Sequence, residues 1–401
     1  MRKKVLVLGS NFGGLTAALA VKRELHGDVD VQVLSPSETF VFNPSLIWLP
    51  FGKRNPKDIT FPVEPTFATH GIEFVNSAAV EIDADRKRVR SATGAWYSYD
   101  YLVVATGYRN KMDAVPGLVE NAVTITSLDD AVRAGEAWRR YLDNPGDIVI
   151  AASQGAGCFG AAYEFLFNTA YRLRKAGLHK QVKLTYVSSE PFLGHFGIGG
   201  LPHGEALLSM FLRHQHIDAH VDVAIDHVAP DALVLTDGTE LPSRYSMVVP
   251  PFVGQEVART AAALDPDDKG YLPVRTTYQS EKFDDVYVVG IAAQVTAPWQ
   301  TAVPTGIPKT GHPTEVQAHT AAANIAAQIR GERPERSKPF GDIPAVCVMD
   351  AGNNGVVILA DKMLPPRKHG VLIPGPQAHA MKVGFEKYFL WKARHGYVQL
   401  P

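Results

Sequence analysis

Only two cysteines occur in the 401-residue chain, Cys158 and Cys347. Two thiols are too few for the disulfide framework of a small secreted domain, so each is either inert or a redox centre. Cys158 stands in Gly155-Ala156-Gly157-Cys158-Phe159-Gly160, just ahead of a helical pattern. Unpaired N–H groups and the positive end of a helix dipole stabilise a thiolate, which predicts a lowered pKa and a nucleophilic sulfur there. Burial as a small apolar side chain is the alternative. A second chemical cluster is Gly9-Ser10-Asn11-Phe12-Gly13-Gly14, close to G-x-G-x-x-G. In that pattern the first glycine makes the turn, the second admits a pyrophosphate and the third lets helix pack on strand. Here Asn11 holds the middle position, and Ser35 stands where an acid would bond a ribose, with no Asp or Glu until Glu38. A glycine turn in an unrelated α/β protein is the alternative reading.

The elements that must position these residues follow from hydrophobic periodicity. Val5 to Leu8 reads as a buried strand, Leu15 to Leu25 as a helix and Val31 to Leu34 as a second strand. Ile148 to Ile150, Ala161 to Lys175 and Val182 to Val187 repeat that strand–helix–strand order. Two such units predict an α/β chain with two Rossmann-like, doubly wound domains. Tyr101 to Val104 is a further buried strand ending in Ala105-Thr106-Gly107. Val286 to Val289 is another, ending at Gly290, with an Ala-rich helix predicted over Pro313 to Arg330. Residues 331–345 read as a linker, and 346–401 as a short apolar segment and an aromatic-basic close. No period of 20–50 residues marks a solenoid.

Composition narrows the class. Lys and Arg number 40 against 41 Asp and Glu, a formal net charge of −1, and no long basic run occurs, which argues against nucleic acid. No apolar run is long enough to span a bilayer. Met1-Arg2-Lys3-Lys4 leads straight into a strand, which predicts synthesis in the cytoplasm without a secretory signal. The second glycine turn is a poor NAD site. Ala151 to Gln154 separate it from the strand ending at Ile150, and the strand ending at Val187 runs into Ser188-Ser189 with no acid at its tip.

The first site resembles that of two-nucleotide-domain flavoproteins, which carry an Ala-Thr-Gly turn after a strand near residue 100, where Ala105-Thr106-Gly107 stands here. That resemblance implies FAD. Their third signature ends Gly-Asp; here Gly290 is followed by Ile291, so a backbone contact must serve.

Several segments together narrow the likeness. Gln154 to Glu164 (QGAGCFGAAYE), Ser189 to His195 (SEPFLGH), Val303 to Gly311 (VPTGIPKTG), Ala345-Val346-Cys347 and Lys382 to Phe389 (KVGFEKYF) resemble sulfide:quinone oxidoreductases, in order along the chain. The resemblance implies a glutathione-reductase-like fold: an FAD domain over 1–110 and 270–335, a second Rossmann-like domain over 111–269 carrying Cys158, and a C-terminal membrane and quinone interface over 336–401 with Cys347. It implies that Cys158 and Cys347 take up sulfide sulfur across one flavin face, with sulfide or polysulfide and a membrane quinone as partners. Glu164 and His195 match an acid and a histidine that could move protons. The cofactor set it implies is Gly9, Asn11, Phe12, Gly14, Ser35, Pro44, Ala105, Thr106, Gly107, Gly290, Ile291, Lys309 and Lys382. Lys309 and the helix from Pro313 are expected to stabilise a reduced flavin. A third family cysteine falls at Thr126 and a family histidine at Asp130, so sulfur release departs from the family pattern.

From Met381 to Arg394 the chain reads MKVGFEKYFLWKAR. Met381, Phe385, Tyr388 and Phe389 are expected on one helical face, with Lys382, Lys387, Lys392 and Arg394 interspersed, a basic pattern that suits a membrane interface. The resemblance places Phe385 against the quinone ring, with Tyr388 and Phe389 beside it. Family members continue beyond the position of Pro401 into another amphipathic segment, so the expectation is a peripheral protein held by a single short helix; a homo-oligomer stays open. Rival readings are a flavocytochrome c-type sulfide dehydrogenase, a type II NADH:quinone reductase and a flavin-binding sulfur sensor or carrier. The first holds FAD through a cysteine, whereas Phe40 to Pro44 has none, which implies non-covalent FAD.

Overall fold

Val5, Leu6, Val7 and Leu8 are wholly shielded from solvent. Four consecutive buried apolar residues belong inside a parallel sheet covered on both faces. In the computed structural model, which describes residues 2–400, they form β1 (Lys4–Leu8). Next come α1 (Phe12–Glu24), β2 (Asp30–Ser35), β3 (Glu73–Asn76) and β4 (Tyr101–Val104). A second unit follows: β5 (Ile148–Ala152), α2 (Phe159–Lys175), β6 (Leu184–Ser188), β7 (Ile217–His220) and β8 (Tyr245–Val249). The chain then returns through β9 (Val286–Val288) and α3 (Gly311–Ile329). It closes with β10 (Ala345–Asp350), β11 (Gly355–Ala360), β12 (Gly370–Pro374) and α4 (Pro376–Arg394).

The first sheet is parallel in the order β9-β4-β1-β2-β3, and the second, also parallel, runs β7-β6-β5-β8. Strand order in the first sheet reverses at β1, and ligands of open α/β sheets bind in the crevice at such a switch point. The turns there are fastened to one another: Gly9 N–H donates to the Leu34 carbonyl at 2.9 Å, Ala105 N–H to Leu8 at 2.9 Å and Val289 N–H to Val104 at 3.0 Å. Small residues let α1 and α3 approach closely, and Ala17, Ala18, Ala318, Ala321 and Ala322 share one core.

The helices begin earlier than periodicity predicts, at Phe12, Phe159 and Gly311. In each case the turn before the apolar pattern is already helical, because the glycine-rich turn delivers the chain directly into the first helical turn. Strand β5 also reaches Ala152, so two residues, not four, precede Gly155. The closing region holds a feature the sequence did not announce, an antiparallel sheet ordered β10-β11-β12. Ala345, Met349, Val356, Ile358 and Ala360 from this sheet pack into the core of the second unit, whereas Phe389, Leu390 and Ala393 of α4 pack into that of the first. The C-terminal region therefore clamps the two nucleotide folds together. No helix among the described residues is long and apolar enough to cross a membrane.

A Cβ at Gly14 would run into the Gly9 carbonyl oxygen, so α1 reaches β1 only because residue 14 has no side chain. Gly14→Ala should destabilise the protein by about 1–3 kcal/mol through this overpacking, read as a lower urea midpoint at unchanged slope; an unchanged midpoint would show that the turn absorbs the methyl.

Candidate functional site

The first turn lies at the switch-point crevice. Asn11 caps α1, its carbonyl accepting from Leu15 N–H at 2.8 Å, yet its side-chain oxygen is buried without a partner, as is the Thr106 hydroxyl. Buried polar groups are ordinarily bonded, so two orphans on neighbouring turns fit a polar ligand that spans them. Ser35, at the tip of β2, meets Ser10 Oγ at 2.9 Å. Phe12 packs on Phe40 and Phe389 with ring centroids 5.1 and 4.9 Å apart. Pro44 opens the short 3-10 helix Asn43–Trp48, and Gly107 follows Thr106 out of β4. On the opposite wall Gly290 N–H donates to Gln317 Oε1 at 2.5 Å, leaving the Gln317 amide nitrogen buried and unpartnered.

Lys309 is anchored at the Gly290 turn. Its ammonium is tethered to the Ile291 and Ala293 carbonyls at 2.8 and 2.9 Å and lies 3.3 Å above the Tyr271 ring centre. Burial lowers its pKa to about 7, so it is a weakened cation fastened to the Gly290 turn.

The two cysteines come from different units. Cys158 caps the N-terminus of α2 and is half-buried; Cys347 sits on β10 and is exposed; both are free thiols. Cys347 feels the Cys158 charge, and both feel Glu164 and Lys382. The expected lowering of the Cys158 pKa is overturned. Burial among protein atoms pushes it up, outweighing the Ala161 and Gly160 N–H groups at the helix start and the Lys382 charge, while Glu164 raises it further. Surrounding protein atoms and the Glu164 charge likewise push the Cys347 thiol up, although its side chain keeps a solvent-exposed face.

A buried charged network lies within electrostatic reach of both thiols. Lys382 from α4 is ion-paired to Glu164 of α2, whose carboxylate also accepts Asp350 N–H at 2.6 Å. Burial raises the Glu164 pKa despite the Lys382 charge. Asp350, the last residue of β10, accepts from Trp48 Nε1 at 2.8 Å and bonds His379 Nδ1 at 2.5 Å. Burial pushes the Asp350 pKa up, but those bonds and the charges of Lys53 and Lys382 outweigh it and hold the pKa low. Trp48 is ringed by cations, with Lys53, Arg54 and Lys382 at 4.2, 4.8 and 5.3 Å from its ring centre. Asp350, Trp48, His379 and Lys53 were not singled out from sequence. Their hydrogen-bond partners lie up to 326 positions away, a separation that local sequence does not bridge.

Other predicted residues lie elsewhere. His195 is 4% exposed and edge-on to Phe192 and Trp299, and among the described residues no hydrogen bond or ring contact joins it to Cys158, Cys347, Glu164 or Lys382. Burial and the Arg367 charge lower its pKa to about 4, so it is neutral near pH 7 and ill suited to take up a proton there. The aromatic stripe of α4 is divided: Phe389 is buried with Phe12, Phe40 and Phe42, Tyr388 is half-buried, and Met381 and Phe385 are 50% and 44% exposed. Lys382 and Lys392 are buried, not solvent-facing; Lys392 pairs with Glu315 at 3.1 Å. Thr126, at the third cysteine position, bonds Asn110 Oδ1 at 2.9 Å and accepts from Tyr108 Oη at 2.5 Å; Asp130 bonds Ser127 and Asn110. The second glycine turn is closed. Gly155 and Gly157 N–H groups donate to the Pro304 and Pro250 carbonyls at 2.6 and 3.1 Å, and any Cβ at Gly157 would strike the Phe252 ring.

Residues 3–306 match the pyridine nucleotide-disulphide oxidoreductase family. The chain is 35% identical to a sulfide-quinone reductase of Aquifex aeolicus over 99% of its own length and 92% of that protein. It is 27% identical to a mitochondrial sulfide:quinone oxidoreductase of Dictyostelium discoideum, over 72% of this chain and 64% of that one. The crystal structure of the Aquifex aeolicus sulfide:quinone oxidoreductase superposes with a TM-score of 0.94 at 34% identity, over 98% of this chain and 92% of that one.

Removing one partner of a buried ion pair strands the other charge. Lys382→Met should cost about 3–5 kcal/mol in urea unfolding, and adding Glu164→Gln should recover much of it; equal losses in both variants would show that the pair is not the coupled unit. Because the Cys347 pKa is raised, its thiolate fraction climbs about tenfold per pH unit well beyond pH 9, where an ordinary thiol levels off. Iodoacetamide labelling followed by mass spectrometry should track that climb, and a plateau near pH 9 would refute it.

Proposed function

The chain belongs to the sulfide:quinone oxidoreductase family, and on that premise we propose that it oxidises hydrosulfide to sulfur or polysulfide with FAD and reduces a quinone. The balanced reaction takes hydrosulfide, quinone and one proton to sulfur and quinol. The observation that carries this reading is that Cys158 and Cys347, from separate units, both lie within electrostatic reach of the buried Glu164–Lys382 pair.

FAD fits the switch-point crevice, where the orphaned Asn11 oxygen and Thr106 hydroxyl await a polar partner. When bound, it supplies a two-electron carrier between sulfur and quinone. Gly9, Asn11 and Gly14 would meet its pyrophosphate at the start of α1, Ser35 a ribose, and Thr106, Gly107 and the Gly290-Ile291 turn the remainder. No cysteine lies in Phe40 to Pro44, which supports a non-covalent cofactor.

On the sulfur side, hydrosulfide opens a Cys158–Cys347 bridge: a new S–S bond forms on one cysteine as the old one breaks, and the other leaves as thiolate. That thiolate is met by the α2 N–H groups if it is Cys158 and by the Lys382 charge in either case. Glu164, with its raised pKa, can hold a proton beside the sulfurs. Quinone approaches at exposed Phe385, and the exposed Met381, Phe385 and Trp391 of α4 with Val346, Leu359 and Val371 of the β10–β12 sheet give a peripheral membrane contact. The closed second glycine turn speaks against NADH as donor.

Anaerobic stopped-flow tests this directly. Sulfide should bleach the flavin, NADH should not, and decylubiquinone should restore the colour. Cys158→Ala should retain FAD while slowing sulfide-driven bleaching by more than about a hundredfold; bleaching by NADH alone, or an unaffected variant, would sink the reading.

A further inference from the structure

Glu190 is a carboxylate with no accessible surface and no part in the chemistry above. It stands two residues beyond the end of β6, so the strand that reads from sequence as lacking an acid at its tip carries one close by, near where a dinucleotide-binding fold puts the acid that bonds a ribose. Here it faces inward. One oxygen accepts Phe196 N–H at 2.6 Å, and the other accepts Ser188 Oγ at 2.8 Å and Tyr186 Oη at 3.1 Å. Tyr163 of α2, whose ring lies 4.6 Å from Tyr186 and 5.2 Å from Phe196, accepts Gly194 N–H at 3.0 Å. The loop from Gly194 to Gly200 is thus tied at both ends of its first turn.

That loop reaches Phe159, the residue after Cys158. A side chain at Gly197 would strike the Gly306 carbonyl, Pro308 and Phe159. The strand tip holds the other side too: Ser189 Oγ donates to the Ser153 carbonyl at 3.0 Å, and Thr305 Oγ1 to the Ser189 carbonyl at 2.9 Å. Pro304, next to Thr305, accepts Gly155 N–H at 2.6 Å. The glycine-turn amides and the strand-tip acid, the two devices that would grip a dinucleotide, are both bonded to the chain itself.

We infer that this second nucleotide fold has been turned inward to serve the thiol, with Glu190 as a positioning residue that holds the Gly194–Gly200 loop against the Phe159 end of the Cys158 turn. Burial raises the Glu190 pKa to about 7, in keeping with an acid enclosed among neutral donors. The inference rests on Cys158 being the sulfur-handling thiol. Glutamine can keep the arrangement, since its oxygen can accept Phe196 N–H while its amide donates to hydroxyls that rotate to accept.

The test separates the half-reactions of the flavin-loaded enzyme. Glu190→Ala should slow bleaching by sulfide at least tenfold, with FAD content and reoxidation by decylubiquinone unchanged, and Glu190→Gln should restore the rate to within about twofold. A merely structural role would lower FAD content and both half-reactions together, and wild-type bleaching in Glu190→Ala would refute positioning; either outcome overturns the inference. If Glu190→Ala does not fold, Tyr186→Phe with Ser188→Ala removes two donors and leaves the Phe196 bond, and the same selective slowing is expected. Wild-type enzyme that sulfide does not bleach would instead overturn the functional reading itself.

Discussion

The Glu164–Lys382 ion pair is the interaction on which the arrangement depends. It joins α2 of the second nucleotide fold to α4, whose apolar face is buried in the first, and Glu164 also takes Asp350 N–H from β10. Desolvating two charges is costly, and only close pairing with further hydrogen bonds repays it. Cys158 precedes Glu164 on the same helix start, and Cys347 precedes Asp350 on the same strand. Any rotation of the C-terminal region that parted the sulfurs would also strand a buried carboxylate, so the penalty for breaking the pair holds the thiols in register.

The two glycine turns show how one motif serves opposite ends. At residues 9–14 the turn opens on a crevice lined by unsatisfied polar groups, the signature of a site that expects a ligand. At residues 155–160 the amides already have carbonyl partners and aromatic cover from Phe252. Pattern alone cannot separate these cases, because the difference lies in segments such as Pro304 that are distant in sequence.

This marks where the sequence was legible. Buried strands such as Val5–Leu8 and Ile148–Ala152 are nearly all apolar, so the doubly wound core could be read directly, and the turn at Gly9 announced its crevice. The β10–β12 sheet escaped notice because its strands mix exposed and buried apolar residues. The α4 stripe misled for a related reason: one side of that helix enters a core at Phe389 while Phe385, one turn earlier, remains at the surface. The Cys158 thiol was placed correctly at a helix start, but the sign of its pKa shift depends on desolvation by other segments, which local sequence does not encode. The surroundings of His195 were hidden in the same way, since Arg367 and Trp299 come to it from far along the chain.

The raised thiol pKa values mean that the bridge opens only where the departing thiolate is met by favourable partners. A site that held a permanent thiolate would repel hydrosulfide and would stabilise the ground state as much as the transition state, which does not accelerate a reaction. With the two sulfurs joined in the bridge neither carries charge, and the incoming anion is the nucleophile. Charge appears on a cysteine sulfur only as the S–S bond breaks. The N–H groups of Gly160 and Ala161 and the Lys382 ammonium are already in place for that moment, so their stabilisation falls on developing charge rather than on a resting ion. The burial that opposes the thiolate at rest thus makes its few favourable partners count when it forms.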